Sequence, residues 1–179
     1  MRLHVVIFLL VLLWPGAAFC RDLEGKYFTI RLENGVEEKE LLAKLNRVSL
    51  FQLDALGSSD ENALAVFMDA LYLEVCDQLD IHIYDMKITL NVLPKREEFR
   101  ALIKAKFGKD TDSSACYVHN DKAIYAADEG IRPGVLAHEI SHAILMRYFV
   151  VPPPEKLQEI MCGYVEYSIN KKINNVVQN

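Results

Sequence analysis

The sequence has no basic excess, no apolar span long enough to cross a bilayer and no low-complexity tract, and each absence removes a class of protein. Twenty Lys+Arg stand against 25 Asp+Glu, a formal net charge of −5. A protein that grips nucleic-acid phosphates needs a positive footprint to displace counterions, so nucleic acid is not an expected partner. Eight glycines and six prolines are too few for a collagen-like fibre or a flexible linker, and 51% hydrophobic residues are too many for a disordered chain. Four cysteines in 179 residues do not make a disulfide-stapled mini-protein, and a chain of this length can build a core without staples. What remains is one domain's worth of globular chain.

The first twenty residues differ from the rest. Arg2 precedes an apolar run from Val5 to Trp14, followed by Pro15-Gly16-Ala17-Ala18-Phe19-Cys20. A basic start, a short apolar core and a small-residue end form the three-part pattern of a secretory signal peptide. A membrane span needs about 20 apolar residues, roughly twice this run, so no stable membrane anchor is expected once the leader is gone. Ala18 and Cys20 suit the −3 and −1 positions of a cleavage site. The mature chain, residues 21–179, is then expected as a single domain working in a secreted or periplasmic setting, where a disulfide can form. Cys76, Cys116 and Cys162 remain, and Cys76–Cys116 is the expected pair if one exists; three free thiols is the alternative.

Within 21–179 the apolar spacing changes from element to element. Phe28, Ile30 and Leu32 alternate with polar residues, as do Ile88, Leu90 and Val92, and both stretches read as half-buried strands. Asn34-Gly35 marks a turn. Residues 36–46 and 60–79 read as helices, the second capped by Ser58 with Glu61 three residues on. Pro94 and Gly108 bracket another helix carrying Phe99, Leu102, Ile103 and Phe107 on one stripe. Ala115–His119 and Lys122–Ala127 are expected as a hairpin turning at Asn120-Asp121. Helices follow at 133–148 and 155–172, separated by Val151-Pro152-Pro153-Pro154. Strands and helices mix without regular βαβ alternation, which predicts an α+β domain. His82 and His119 are expected to be solvated or structural, and Asp128 and Glu129 to be turn or helix-start residues.

One constellation carries chemistry. His138-Glu139-Ile140-Ser141-His142 fits the pattern H-E-x-x-H, and Leu136, Ile140, Ala143 and Ile144 continue the helical periodicity through it. Residues four apart on a helix lie one turn above each other, so His138 and His142 can aim two imidazole nitrogens at one point, as a tetrahedral zinc ion requires. Glu139, rotated off that line, can miss the metal yet hydrogen-bond a water beside it. Random placement of this composition would produce the pattern in about one chain in a hundred; the apolar helical context argues for a site over a surface helix. A third protein ligand must come from elsewhere. No later histidine exists, and the next helix offers Glu155, Glu159 and Glu166. Glu155 suits a helix first turn, and Glu159 and Glu166, seven apart, share a face. Spacing alone leaves the choice open.

The motif, the short proline-containing link and the run Leu157-Gln158-Glu159-Ile160-Met161-Cys162-Gly163-Tyr164-Val165-Glu166-Tyr167 together resemble the gluzincin metallopeptidases, closest to their small bacterial, peptidase-MA-like type. The resemblance spans residues 115–170. It implies a minimal zincin-like domain, with a small mixed sheet, an active-site helix and a following glutamate-bearing helix. It also implies Zn²⁺ held by His138, His142 and Glu159, one ion per chain, with Glu139 as general base. Tyr164 falls on the family's tyrosine, which would donate to the oxyanion; a packed core tyrosine is the alternative. Two positions depart from the family. Ile160 replaces the glycine after the ligand, and Gly163 stands where a carboxylate orients a ligand imidazole. Glu166, one turn on, could take that orienting role or lie on the surface. The resemblance further implies that an edge strand beside the active-site helix pairs with an extended peptide, with Ala123–Ala127 as the candidate.

Three functions are therefore weighed. The first is an exported zinc metallopeptidase acting on peptide or protein substrates. The second is an exported zinc-binding or scaffold protein of the same fold, since the chain runs only briefly past the glutamate helix and its cleft would be minimal. The third is an interaction domain with a chance motif.

Overall fold

A computed structural model describes residues 21–46, 62–108 and 110–177. The expected leader and the expected helix cap at Ser58 and Glu61 lie outside the described residues. Strand β1 (Arg21–Glu24) pairs antiparallel with β2 (Phe28–Leu32), and β2 runs parallel to β3 (Ile88–Leu93). β4 (Ala115–Val118) and β5 (Ala123–Ala127) are antiparallel to each other, while β5 runs parallel to β3. The sheet order is β1-β2-β3-β5-β4. Parallel neighbours need long crossovers. Helices α1 (Glu38–Leu45) and α2 (Ala63–Leu79) lie on the path from β2 to β3, and α3 (Arg96–Phe107) on the path from β3 to β5. Helices α4 (Pro133–Tyr148) and α5 (Glu155–Val177) follow the sheet. This is the expected α+β class with a small mixed sheet.

The strand pleat sorts the core into two layers. Ile88, Leu90 and Val92 of β3 and Ile124 and Ala126 of β5 join the large cluster with α2, α4 and α5. Tyr125 and Ala127 of β5, with Cys116 of β4, pack against Phe99 and Ile103 of α3 on the opposite face. Tyr27, just before β2, stacks on Tyr72 of α2 with ring centroids 4.5 Å apart, and Tyr72 donates its hydroxyl to the Ile83 carbonyl at 2.7 Å. Asp69 of α2 accepts the backbone N–H groups of Lys26 (2.6 Å) and Tyr27 (2.8 Å), pinning the β1–β2 connection to the helix.

Several expectations need correction. β5 is not an edge: it lies between β3 and β4, so the free edge beside α4 belongs to β4. The hairpin turns through a 3-10 segment, His119–Asp121, with Lys122 in the left-handed region at φ 50°, rather than through a two-residue turn. β1 was not expected as a strand. Of its four residues Arg21, Asp22 and Glu24 are charged and Leu23 is buried, too little for an alternating signal. α5 continues to Val177, past the expected stop at 172. The cysteines Cys76, Cys116 and Cys162 are free. Cys76 belongs to the large cluster and Cys116 to the α3 layer, so the sheet stands between the two thiols expected to pair. Glu129 accepts the Arg96 N–H at 3.2 Å, satisfying an open donor at the start of α3, and Asp128 pairs with Lys44 at 2.6 Å. Among the described residues no helix is long and apolar enough to cross a membrane.

Candidate metal site

α4 begins with Pro133 in its first turn, where the missing N–H costs nothing. Ten of its residues are buried, from Pro133 to Leu145. Small side chains along it let α5 come close. A Cβ on Gly134 would stand 2.4 Å from Asn170 Oδ1, so a larger residue there would make the Asn170 side chain turn away. With the other faces packed, His138 and His142 are left one turn apart beside α5, their side chains 19% and 17% exposed. Their ring centroids are 5.0 Å apart.

α5 answers with a row of acceptors. Glu159 sets one carboxylate against both rings: Oε2 lies 3.4 Å from His138 Nε2 and Oε1 lies 3.2 Å from His142 Nε2. The other ring nitrogens have their own partners. His138 Nδ1 is 3.2 Å from Glu166 Oε2, and His142 Nδ1 is 3.4 Å from Gln158 Oε1. Gln158 also donates through Nε2 to the Pro153 carbonyl at 2.7 Å, which fixes which end of its amide faces the ring. The stiff proline link thus anchors the residue that orients His142.

Glu139 is buried and accepts the Tyr117 N–H at 2.7 Å. Burial pushes its carboxyl up to about 8; the Tyr117 N–H opposes the rise, and the charges of Glu159 and Glu166 add to it. For His142, burial and then the neighbouring His138 hold the imidazole below its ordinary value, against the pull of Gln158 and Glu159. A cleft of about 450 Å³ opens over these groups, lined also by Tyr117, His119 and Met146.

Cys162, one turn after Glu159, is fully buried, and one ligand atom from each of His138, His142 and Cys162 lies within 4.8 Å of the others. These three residues could hold a metal ion. Burial pushes the Cys162 thiol up to about 12, with Glu159 and Glu139 adding to the shift, so a bound cation would have to draw off its proton. The sequence sets Cys162 apart from the expected disulfide, since it falls in the helix near the site, without marking it as a ligand. Its i+3 spacing from Glu159 was the available signal.

Of the residues singled out in the sequence, His138, Glu139, His142, Glu159 and Glu166 come together. Tyr164 does not. It is 60% exposed and lines a separate shallow pocket with Gln78, Leu79, Ile160 and Met161, so neither the oxyanion role nor a core role fits it. His82 is exposed and paired with Asp77 at 2.9 Å, whereas His119 stands on the cleft wall. No protein-family model, curated protein or solved structure matches this chain.

Proposed function

We propose that the chain is an exported zinc metallopeptidase of gluzincin type, with His138, His142 and Glu159 as the ligands and Glu139 as general base. One observation carries the reading: two imidazole Nε2 atoms face the two oxygens of a single carboxylate at 3.4 and 3.2 Å. Glu166 and the Gln158 carbonyl only accept hydrogen bonds, so each Nδ1 donates, and a neutral ring then presents the Nε2 lone pair to Glu159. Lone pair against carboxylate is repulsive unless a proton or a metal cation lies between them, and a charge-assisted hydrogen bond would draw nitrogen and oxygen to about 2.7–2.9 Å, closer than the 3.4 and 3.2 Å found here. Nitrogen and oxygen ligands about 2.0–2.1 Å from zinc in tetrahedral array stand about 3.3–3.4 Å apart, which the distances match. The donor set therefore fits the ion. Export rests on the three-part pattern of residues 1–20.

When bound, zinc supplies Lewis acidity and lowers the pKa of a water it meets. The protein supplies the rest. Beside a cation held by the histidines, the ionised form of Glu139 would be favoured; with one oxygen held by the Tyr117 N–H, it would keep the other to take the proton from the attacking water and pass it to the leaving amine. A peptide substrate in extended form would add to β4, the free strand edge beside α4, in place of the Ala123–Ala127 edge first expected. Glu139→Gln should retain stoichiometric zinc and lose hydrolysis of an unstructured protein such as casein, while His138→Ala loses the metal. Cleavage surviving in Glu139→Gln refutes the mechanism.

A second reading is favoured by the proximity of Cys162. If its thiolate joins His138, His142 and Glu159, all four positions are filled by protein, as in structural zinc sites, and the chain is an exported zinc-binding scaffold. Cys162→Ala separates the two: zinc retained supports the peptidase, zinc lost supports the scaffold.

A further inference from the structure

The outward side of α5 and the link before it carry an apolar surface that the metal cleft does not use. Among the described residues, eight of the eleven exposed large hydrophobics fall between Tyr148 and Tyr167. In the link, Val150 is 101% exposed and Val151 81%. On α5, Leu157, Ile160, Tyr164 and Tyr167 repeat at intervals of three, four and three, a single stripe about 15 Å long. The buried Cys162, Val165 and Ile169 lie on the other side of the helix. So many large apolar side chains exposed within one short stretch of chain point to a surface that something covers.

Charge identifies what covers it. The three acids of α5 between Glu155 and Glu166 are all turned toward the cleft: Glu155 lines it, and Glu159 and Glu166 reach the histidines. Exposed Lys171 extends the stripe by the next interval of four, and exposed Lys156 adjoins Leu157. On a protein of net charge −5, this face of α5 carries cations and no acid. A second copy docking through the same face would offer those lysines no acid to pair with. Tyrosines and aliphatic residues flanked by lysines, with a protruding valine pair, match the chemistry of a headgroup–acyl boundary. We propose that this face docks on an anionic phospholipid surface, with Val150 and Val151 entering the boundary and Lys156 and Lys171 meeting lipid phosphates.

The test is flotation of the full chain with vesicles of equal phosphatidylglycerol and phosphatidylcholine, and with phosphatidylcholine alone. Every variant carries the same residues 1–20, so differences report this face. The parent should float with the anionic vesicles and bind the neutral ones weakly. Val150→Asp/Val151→Asp should weaken binding at least tenfold. Lys156→Gln/Lys171→Gln should weaken it about 25-fold, from about fivefold per cation near the surface, and Phe107→Asp, exposed on α3, should leave it unchanged. Both variant pairs alter exposed positions, and circular dichroism matching the parent's shows that they fold. Equal flotation of parent and variants overturns the proposal, as does equal binding to neutral vesicles. Absence of flotation together with a dimer in sedimentation equilibrium that Ile160→Asp dissolves also overturns it, in favour of a second copy.

Discussion

Replacing Glu166 by alanine should weaken zinc binding about 10- to 100-fold while leaving the metal-free fold almost as stable as before. The contact at stake is His138 Nδ1 to Glu166 Oε2, 3.2 Å, between side chains 19% and 34% exposed. A carboxylate there fixes the tautomer that turns Nε2 toward Glu159 and makes the ring a better donor. Removing such partners usually costs one to two powers of ten in affinity, about 1.4–2.7 kcal/mol. As a stabilising pair in its own right, a partly solvated contact of this kind contributes no more than about 1 kcal/mol. Glu166→Gln keeps an accepting oxygen and should lose less than tenfold. Gln158→Ala, which removes a longer, uncharged contact of 3.4 Å to His142, should fall at the mild end of the range. Competition against a chromophoric zinc chelator at neutral pH gives the affinities, and urea unfolding of the metal-free protein gives the stabilities. Zinc affinity in Glu166→Ala within twofold of the parent, while Glu159→Ala abolishes binding, would show that the contact does not orient the ring.

Three further outcomes follow from other parts of the molecule. Asp69→Ala strips the acceptor from the part-buried Tyr27 N–H and the exposed Lys26 N–H, which can turn to water, and should lower stability by about 1–3 kcal/mol, read as a shift in urea midpoint at unchanged slope. In the metal-free protein Glu139 has its folded pKa raised from 4.5 to about 8, so the folded state binds the extra proton between those values. Stability is therefore lost as pH rises from about 4.5 to 8, and this loss should vanish in Glu139→Gln; the difference between the two proteins cancels the opposite contribution of His142. Cys76 and Cys162, both buried, should react with a thiol reagent only after unfolding, whereas half-buried Cys116, on the cleft wall with its thiol pushed up to about 11 by burial, should react slowly in the folded protein. A disulfide recovered between Cys76 and Cys116 from native protein would contradict the layer assignment of the two strand faces.

The parts of this protein legible in the sequence are those fixed by periodicity within one element. The stripe through α4 places His138 and His142 one turn apart wherever the helix packs, and Gly108, at φ +68°, closes α3 where its spacing said it should. What the sequence could not supply is order between elements. β4 and β5 have similar short apolar patterns, and only their pairing with β3 decides which is the edge. Tyr164 failed for a geometric reason: five residues after Glu159, it is turned about 140° around the helix from it, so the two side chains cannot both face the histidines.

Glu159 and Glu166 make the same point more sharply. At seven residues' separation they share a face, and periodicity treats them as equivalent; along the axis, however, they are about 10.5 Å apart. On α5, running against α4 at the Gly134–Asn170 approach, that separation brings the first carboxylate to His138 Nε2 and the second to the same ring's Nδ1. One imidazole thus has a carboxylate on each side. The ring has two nitrogens but, when neutral, one proton. Donated to Glu166, that proton leaves the Nε2 lone pair toward Glu159, whose other oxygen meets the Nε2 of His142. That proton count is why the proposed zinc site takes Glu159, rather than Glu166, as the acid shared by both rings. Glu166 could exchange roles with it only if α5 slid by two turns, which the burial of Cys162, Val165 and Ile169 in the core opposes.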